Sequence, residues 1–355
     1  MRIFGTCICV LALVLFFIGN SYAQGKSDPK QLSVKGEIPE KQKGDHELKL
    51  KKETPATKRL QATEEEKAEK EKEALSAAGR EYILLKKRTL ELEYNFIYEY
   101  YSVDQIRQLE EEANLEIEHQ CDHTLRNIIV VQYGVLDNLT LNASIPFIYR
   151  YDKVGTKDKK SETDIGDVTA GLSWQPFRSG KGNTAMILYT TAIFPSGRSP
   201  YEIDPNTEIS TGNGFYSFVG GLSLTKSIDP VVVFGNLNYV YKHDIGNLHQ
   251  NRTTDILLRV KPGDSIGLSI GMAYAMSYIV SLNLKFQYSY EFGTTYYFMD
   301  RGRFETANKS SASFIVGSGW RISPKTSLFV SVGIGLTNED PDFSLSFRLP
   351  FTFPL

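Results

Sequence analysis

The last dozen residues constrain this chain more than any other segment. Phe343, Leu345, Phe347, Leu349, Phe351 and Phe353 alternate with Ser344, Ser346, Arg348, Pro350 and Thr352. Successive side chains of an extended strand point to opposite faces, so this is a strand with one apolar and one polar face. The pattern recurs about a dozen times between residue 88 and the C-terminus. An α-helix would scatter these residues around its circumference, so the region reads as all-β.

The N-terminus says where the sheet goes. Met1-Arg2, an apolar run from Cys7 to Ile18, and Ser21-Tyr22-Ala23 before Gln24 form a secretory signal peptide over 1–23. No later run of 18 apolar residues occurs, which excludes membrane-spanning helices in the mature chain. Only 41% of the residues are hydrophobic, yet there are 20 Tyr, 20 Phe and 28 Gly. That balance suits a lipid-facing barrel, in which every second strand residue is apolar. A soluble sandwich would also alternate but would need neither export nor the loop asymmetry described below. The formal net charge of −2 leaves no footprint for nucleic acid. Cys121 is the one cysteine beyond the signal, so no internal disulfide forms.

Residues 26–87 differ in kind. They hold 16 Lys and Arg and 13 Asp and Glu, with no aromatic residue before Tyr82. Such a segment buries too little apolar surface to offset the entropy of ordering it. The expectation is a charged periplasmic extension over 24–84, partly helical or disordered, ahead of a barrel over 85–355. Thr63 and Glu66 make a capping box and Gly79 a stop signal for one helix in it. The extension is also a candidate handle for a periplasmic partner.

Twelve strands are expected, over 88–101, 115–134, 139–151, 165–177, 184–195, 213–227, 231–243, 264–277, 280–294, 311–322, 327–337 and 342–353. Short turns near 136–138, 178–183, 228–230, 278–279 and 323–326 alternate with polar loops over 102–114, 152–164, 196–212, 244–263, 295–310 and 338–341. Outer-membrane barrels put short turns on the periplasmic side and long loops outside, and an even strand count returns both ends to one side. Within loop 244–263, Asp255-Ile-Leu-Leu-Arg-Val can extend a strand or pair separately. The fold expected is an antiparallel transmembrane β-barrel in the bacterial outer membrane of a Gram-negative cell, surrounded by membrane lipid.

Parity sorts the charges. Glu91, Glu93 and Glu99 fall on the lumen face of the first strand, and Glu116, Glu118 and Asp122 on that of the second. Arg126, Arg150, Lys242, Lys285, Arg321 and Arg348 supply lumenal cations. Such charges hold a barrel wall together by salt bridges, filter solutes, or both. A twelve-stranded barrel is wide enough to admit a plug, and the segment 77–87 offers Arg80, Lys86 and Lys87 to pair with Glu91 or Glu93 in its mouth.

His119, Cys121 and His123 share one strand face and are candidate zinc or copper ligands. Their spacing is wide for one ion, and no metal or other cofactor is assigned. The five mature histidines sit beside no nucleophile motif, and no G-x-S-x-G or P-loop occurs, so no catalytic residue is assigned.

The run from Leu139 to Tyr151, then Ile165-Gly-Asp-Val-Thr-Ala-Gly-Leu-Ser-Trp, Ala192-Ile-Phe-Pro-Ser-Gly and Gly263-Asp-Ser-Ile-Gly-Leu-Ser, resembles a known family. It is the outer-membrane barrel family of the MetA-pathway of phenol degradation, also called transporter. The resemblance covers about residues 85–355 and implies a channel for small, often aromatic or hydrophobic, solutes. Two alternatives remain: a barrel exporting an amyloid-like polypeptide, which carries a helical N-terminal extension, and a structural or adhesion barrel.

Overall fold

A computed structural model describes residues 79–108, 115–154, 158–177, 184–204, 207–228, 231–252, 255–277, 279–323 and 326–355. The side chains of Arg80, 104–119, Val154 and Asp158 are not among those described. The signal peptide, the capping box at Thr63 and Glu66, and the extension up to 78 lie outside these residues.

A single 3-10 turn, Arg80–Tyr82, precedes the strands. They are β1 (Thr89–Gln108), β2 (Leu115–Leu136), β3 (Leu139–Val154), β4 (Asp158–Ile165), β5 (Val168–Trp174), β6 (Thr184–Phe194) and β7 (Ser217–Ile228). There follow β8 (Val231–Lys242), β9 (Gln250–Arg252), β10 (Asp255–Lys261), β11 (Ser265–Ala275) and β12 (Val280–Glu291). The last are β13 (Thr295–Phe298), β14 (Gly302–Glu305), β15 (Lys309–Ser323), β16 (Thr326–Gly335) and β17 (Phe343–Pro354).

The ring runs β1, β2, β3, β5, β6, β7, β8, β11, β12, β15, β16, β17 and back to β1, every pairing antiparallel. The closing seam runs from Thr89↔Pro354 to Tyr100↔Phe343. Closure is what lipid demands, because an open edge would leave backbone groups without water or partner. The expected twelve strands are therefore present.

The fourth barrel strand is broken. β4 pairs with the outer part of β3 down to Phe147↔Ile165, and β5 resumes at Ser144↔Thr169. Gly166 and Asp167 form the break between them. The loop expected over 152–164 is thus mostly strand, and the one over 102–114 shrinks because β1 and β2 run on past the membrane.

Loops 244–263 and 295–310 are also more ordered than expected. They contribute β9, β10, β13 and β14 to a separate four-stranded sheet. The Asp255 run pairs on its own there. Leu257, Val260 and Leu248 are buried with Tyr201, Ile245, Tyr296 and Phe298 packed against them. Two loops that each look polar share one small apolar core, which neither reveals alone.

The faces follow parity. Ile270 is 54% exposed, Leu237 52% and Met272 50%, whereas the inward Ser223, Asn236, Ser269, Ser281 and Asn283 are buried. An outward band of exposed Leu, Ile, Phe and Tyr encircling a polar interior needs hydrocarbon around it. The chain is a barrel of the Gram-negative outer membrane. Its short connections mark the periplasmic rim, where Leu355 donates its N–H to the Arg88 carbonyl at 2.8 Å and joins the two ends of the wall.

Candidate functional site: the barrel lumen

At the periplasmic end the chain turns into the barrel before it enters the wall. Arg88 takes a φ of 58°, the left-handed conformation that reverses the backbone ahead of β1. Its N–H reaches the Gly134 carbonyl at 2.8 Å, and the Lys87 N–H reaches Asp137 Oδ1 at 3.2 Å. Gly134 must be glycine here, since a Cβ would collide with the Lys86 carbonyl. The Leu85 N–H then donates to Thr140 Oγ1 on β3 at 3.0 Å.

Three residues earlier, Tyr82 lies against the opposite wall. It is 2% exposed and packs with Val232 and Phe234 of β8 and Ala273 of β11. The Tyr82 and Phe234 rings are 4.7 Å apart, and the Tyr82 hydroxyl hydrogen-bonds Ser269 Oγ at 3.2 Å. β3 is the third barrel strand and β11 the eighth, so this short piece of chain reaches across the lumen. Lys86 and Lys87 are exposed at the rim, and among the described residues neither forms an ion pair. Among the described residues, the contacts that seat the segment are a ring, an aliphatic side chain and hydrogen bonds, of which the one from the Lys87 N–H goes to the Asp137 carboxylate.

Above it lies a network of neutral polar groups. The Tyr189 hydroxyl donates to Asn236 Oδ1 at 3.0 Å, and Asn236 Nδ2 donates to Ser223 Oγ at 2.8 Å. Asn238 Nδ2 adds a bond to Asn236 Oδ1 at 3.2 Å.

The lumenal acids are interleaved with partners. Glu91 accepts from Gln132 Nε2 at 3.1 Å and Thr352 Oγ1 at 3.0 Å. Glu93, 2% exposed, faces Arg348 at 3.9 Å, and that guanidinium lies 4.6 Å over the Phe329 ring. Glu99 pairs with Arg126 at 3.0 Å, Asp122 with Arg150 at 2.8 Å and Lys242 with Glu291 at 2.9 Å. Lys285 and Arg321 are half-buried on the lumen side of β12 and β15. The side chains of Glu116 and Glu118 lie outside the described residues. No single site gathers the charges; they are spread along the wall.

The loop after β6 folds onto the inner face at the outer mouth. Arg198 bridges Glu162 at 2.8 Å and Glu208 at 2.5 Å, and Arg150 Nη1 donates to the Ser210 carbonyl at 3.1 Å. At the break in the fourth strand, Asp167 Oδ1 accepts the Gly197 N–H and Oδ2 the Asn213 N–H. In the outer sheet, burial would raise the Asp255 carboxyl. Backbone N–H groups of Arg301, Asp300 and Ile256 outweigh it and hold that group below the usual carboxylate range. Burial, first, pushes the hydroxyl of Tyr201 beneath that sheet up to about 12.

Cys121 and His123 point outward rather than into the lumen. Tyr98 bonds His123 Nδ1 at 2.9 Å and Tyr100 bonds Cys121 Sγ at 3.6 Å, as part of an aromatic belt with Tyr151. The His119 side chain is outside the described residues, among which no group of three or more His, Cys, Asp or Glu is placed to hold a metal ion.

Parity could not have found Tyr82, Leu85 or Phe234 as a unit. The available signal was that Tyr82 is the first aromatic residue in a segment otherwise rich in charge.

The family described as the MetA-pathway of phenol degradation matches residues 99–353. The chain belongs to that family. An outer-membrane channel from Pseudomonas putida F1 has a similar fold, with a TM-score of 0.57 at 14% identity, covering 78% of this chain and 98% of that one. The translocator domain of the autotransporter NalP from Neisseria meningitidis gives 0.43 at 9% identity, covering 83% and 98%. The KdgM porin gives 0.39 at 8% identity, covering 74% and 99%.

Proposed function

We propose that this family member is a channel that passes small solutes, aromatic or hydrophobic ones among them, unmodified across the outer membrane. The segment before β1 closes its periplasmic mouth. The observation that carries this reading is the seating of Tyr82 and Leu85 inside the lumen, below the neutral network of Tyr189, Asn236, Asn238 and Ser223. Around that seat, neutral hydroxyls, amides and rings offer a solute dispersion and single hydrogen bonds, while Glu93, Glu99, Asp122 and Glu291 face cations along the wall. The wall charges, in paired form, brace the barrel and shape the field at the outer mouth.

In the same reading, 1–23 is the removed signal, and 24–84 is the periplasmic extension whose last residues form the closure. The remainder tethers a periplasmic partner. The test is conductance in planar bilayers, with the mature chain and with a chain lacking 24–84. Discrete steps are expected from both, with a higher open probability after deletion. Because the contacts of Tyr82 and Leu85 are uncharged, raising salt should reproduce little of the deletion's effect. A barrel silent in both forms would overturn the channel assignment.

A further inference from the structure

We propose that the Tyr82 ring occupies a lumenal subsite for a free phenol, and that such a solute opens the channel by displacing it. This rests on the channel reading above and adds the ligand class and the opening event.

The Tyr82 side chain is chemically a 4-alkylphenol, and the barrel receives it as a ligand. Among the described residues, the groups that pack against the ring and bond its hydroxyl belong to the wall. Val232 and Phe234 project inward from β8, Ser269 and Ala273 from β11, with Ala275 at the edge. The site therefore persists when the segment leaves. It recognises its occupant at two points, a ring face against Phe234 and a hydroxyl at Ser269 Oγ. Phe234 lies flat because it crosses Gly271 of the next strand, where a Cβ would collide with its ring. That glycine makes the aromatic wall possible.

The polarity of the site is selective. Ser269 is 7% exposed, with Asn236 and Gln287 opposite it on the two neighbouring strands. An arene with a hydroxyl restores the bond that Tyr82 makes with Ser269, and an arene without one forgoes it. A lost neutral hydrogen bond of this kind corresponds to about a tenfold difference in affinity. The ring is also weakly committed. It is one side chain on a short tether, and a tethered group competes at an effective concentration on the order of millimolar. Free phenols displace it in that range.

The experiment uses the full mature chain in planar bilayers and, separately, calorimetry in detergent, with 4-methylphenol and toluene as probes. Millimolar 4-methylphenol should raise the open probability several-fold, and toluene about tenfold less effectively by concentration. Tyr82→Ala should be open without solute and should bind 4-methylphenol about tenfold or more tighter than the parent chain, since nothing then competes for the site. Ser269→Ala should erase the preference for 4-methylphenol over toluene. Tyr82→Phe, the milder change, keeps the ring and should lower the 4-methylphenol concentration needed to open. Equal binding by Tyr82→Ala and the parent would overturn the subsite. So would an open probability in the parent and in Tyr82→Phe that ignores 4-methylphenol. Absence of conductance in every arm would remove the channel reading, while the calorimetric comparison would still decide the subsite.

Discussion

Asp167 holds Gly197: the carboxylate at the break in the fourth barrel strand accepts the Gly197 N–H at 3.1 Å. Its other oxygen takes the Asn213 N–H at 2.7 Å. One side chain thus pins both ends of the loop between β6 and β7 against the inner wall. Asp167→Ala leaves two amides without their acceptor and should loosen that loop by about 2 kcal/mol. Limited proteolysis of folded protein should then cut within 195–216 while the barrel stays intact. Resistance equal to the parent's would show that the loop is held elsewhere.

Arg348 and Glu93 make a prediction about the wall. Arg348→Ala leaves the Glu93 carboxylate buried beside a vacated space and removes the guanidinium from Phe329, so it should destabilise by about 3 kcal/mol. Glu93→Gln keeps the shape and should change stability by about 1 kcal/mol or less. Urea titration of folding into lipid vesicles reads both. Equal effects of the two substitutions would sink the argument.

The faces can be tested with one charge in two places. Ile270→Arg puts a guanidinium into hydrocarbon and should destabilise by about 2–4 kcal/mol. Gln287→Arg, on the lumen side of the adjacent β12, should be tolerated. A reversed order in the same titration would mean the parity is assigned the wrong way round.

The outer sheet should be sensitive to acid. The Asp255 carboxyl is held below its unfolded value of about 3.9, so its stabilising contribution is full above that value. It is lost as pH falls through the lower folded value. Amide exchange at Asp300 and Arg301, whose N–H groups it accepts, should rise in that acid window. Asp255→Asn should flatten this response, and an unchanged exchange profile in that variant would refute the assignment.

The alternation of Phe343 to Phe353 and of Ile266 to Met276 is a local property, because lipid on one side and water on the other impose period two on every strand. The strand number and the alternation of faces were therefore legible from residue order. The outer sheet was not, since Leu257 and Phe298 bury each other only after two loops from distant parts of the chain meet. The break at Gly166-Asp167 was also hidden. A chain that satisfies alternation on both flanks gives no sign that its ladder skips between them. The seating of Tyr82 belongs to the same class. Its partners Ser269 and Phe234 lie 187 and 152 residues away in the chain, and only closure of the ring brings them to the place where the segment turns inward. Sequence by itself determined a closed, lipid-facing barrel with a polar interior. Tertiary structure decided what stands in that interior, because the contacts that fill a lumen are made across it rather than along the strands.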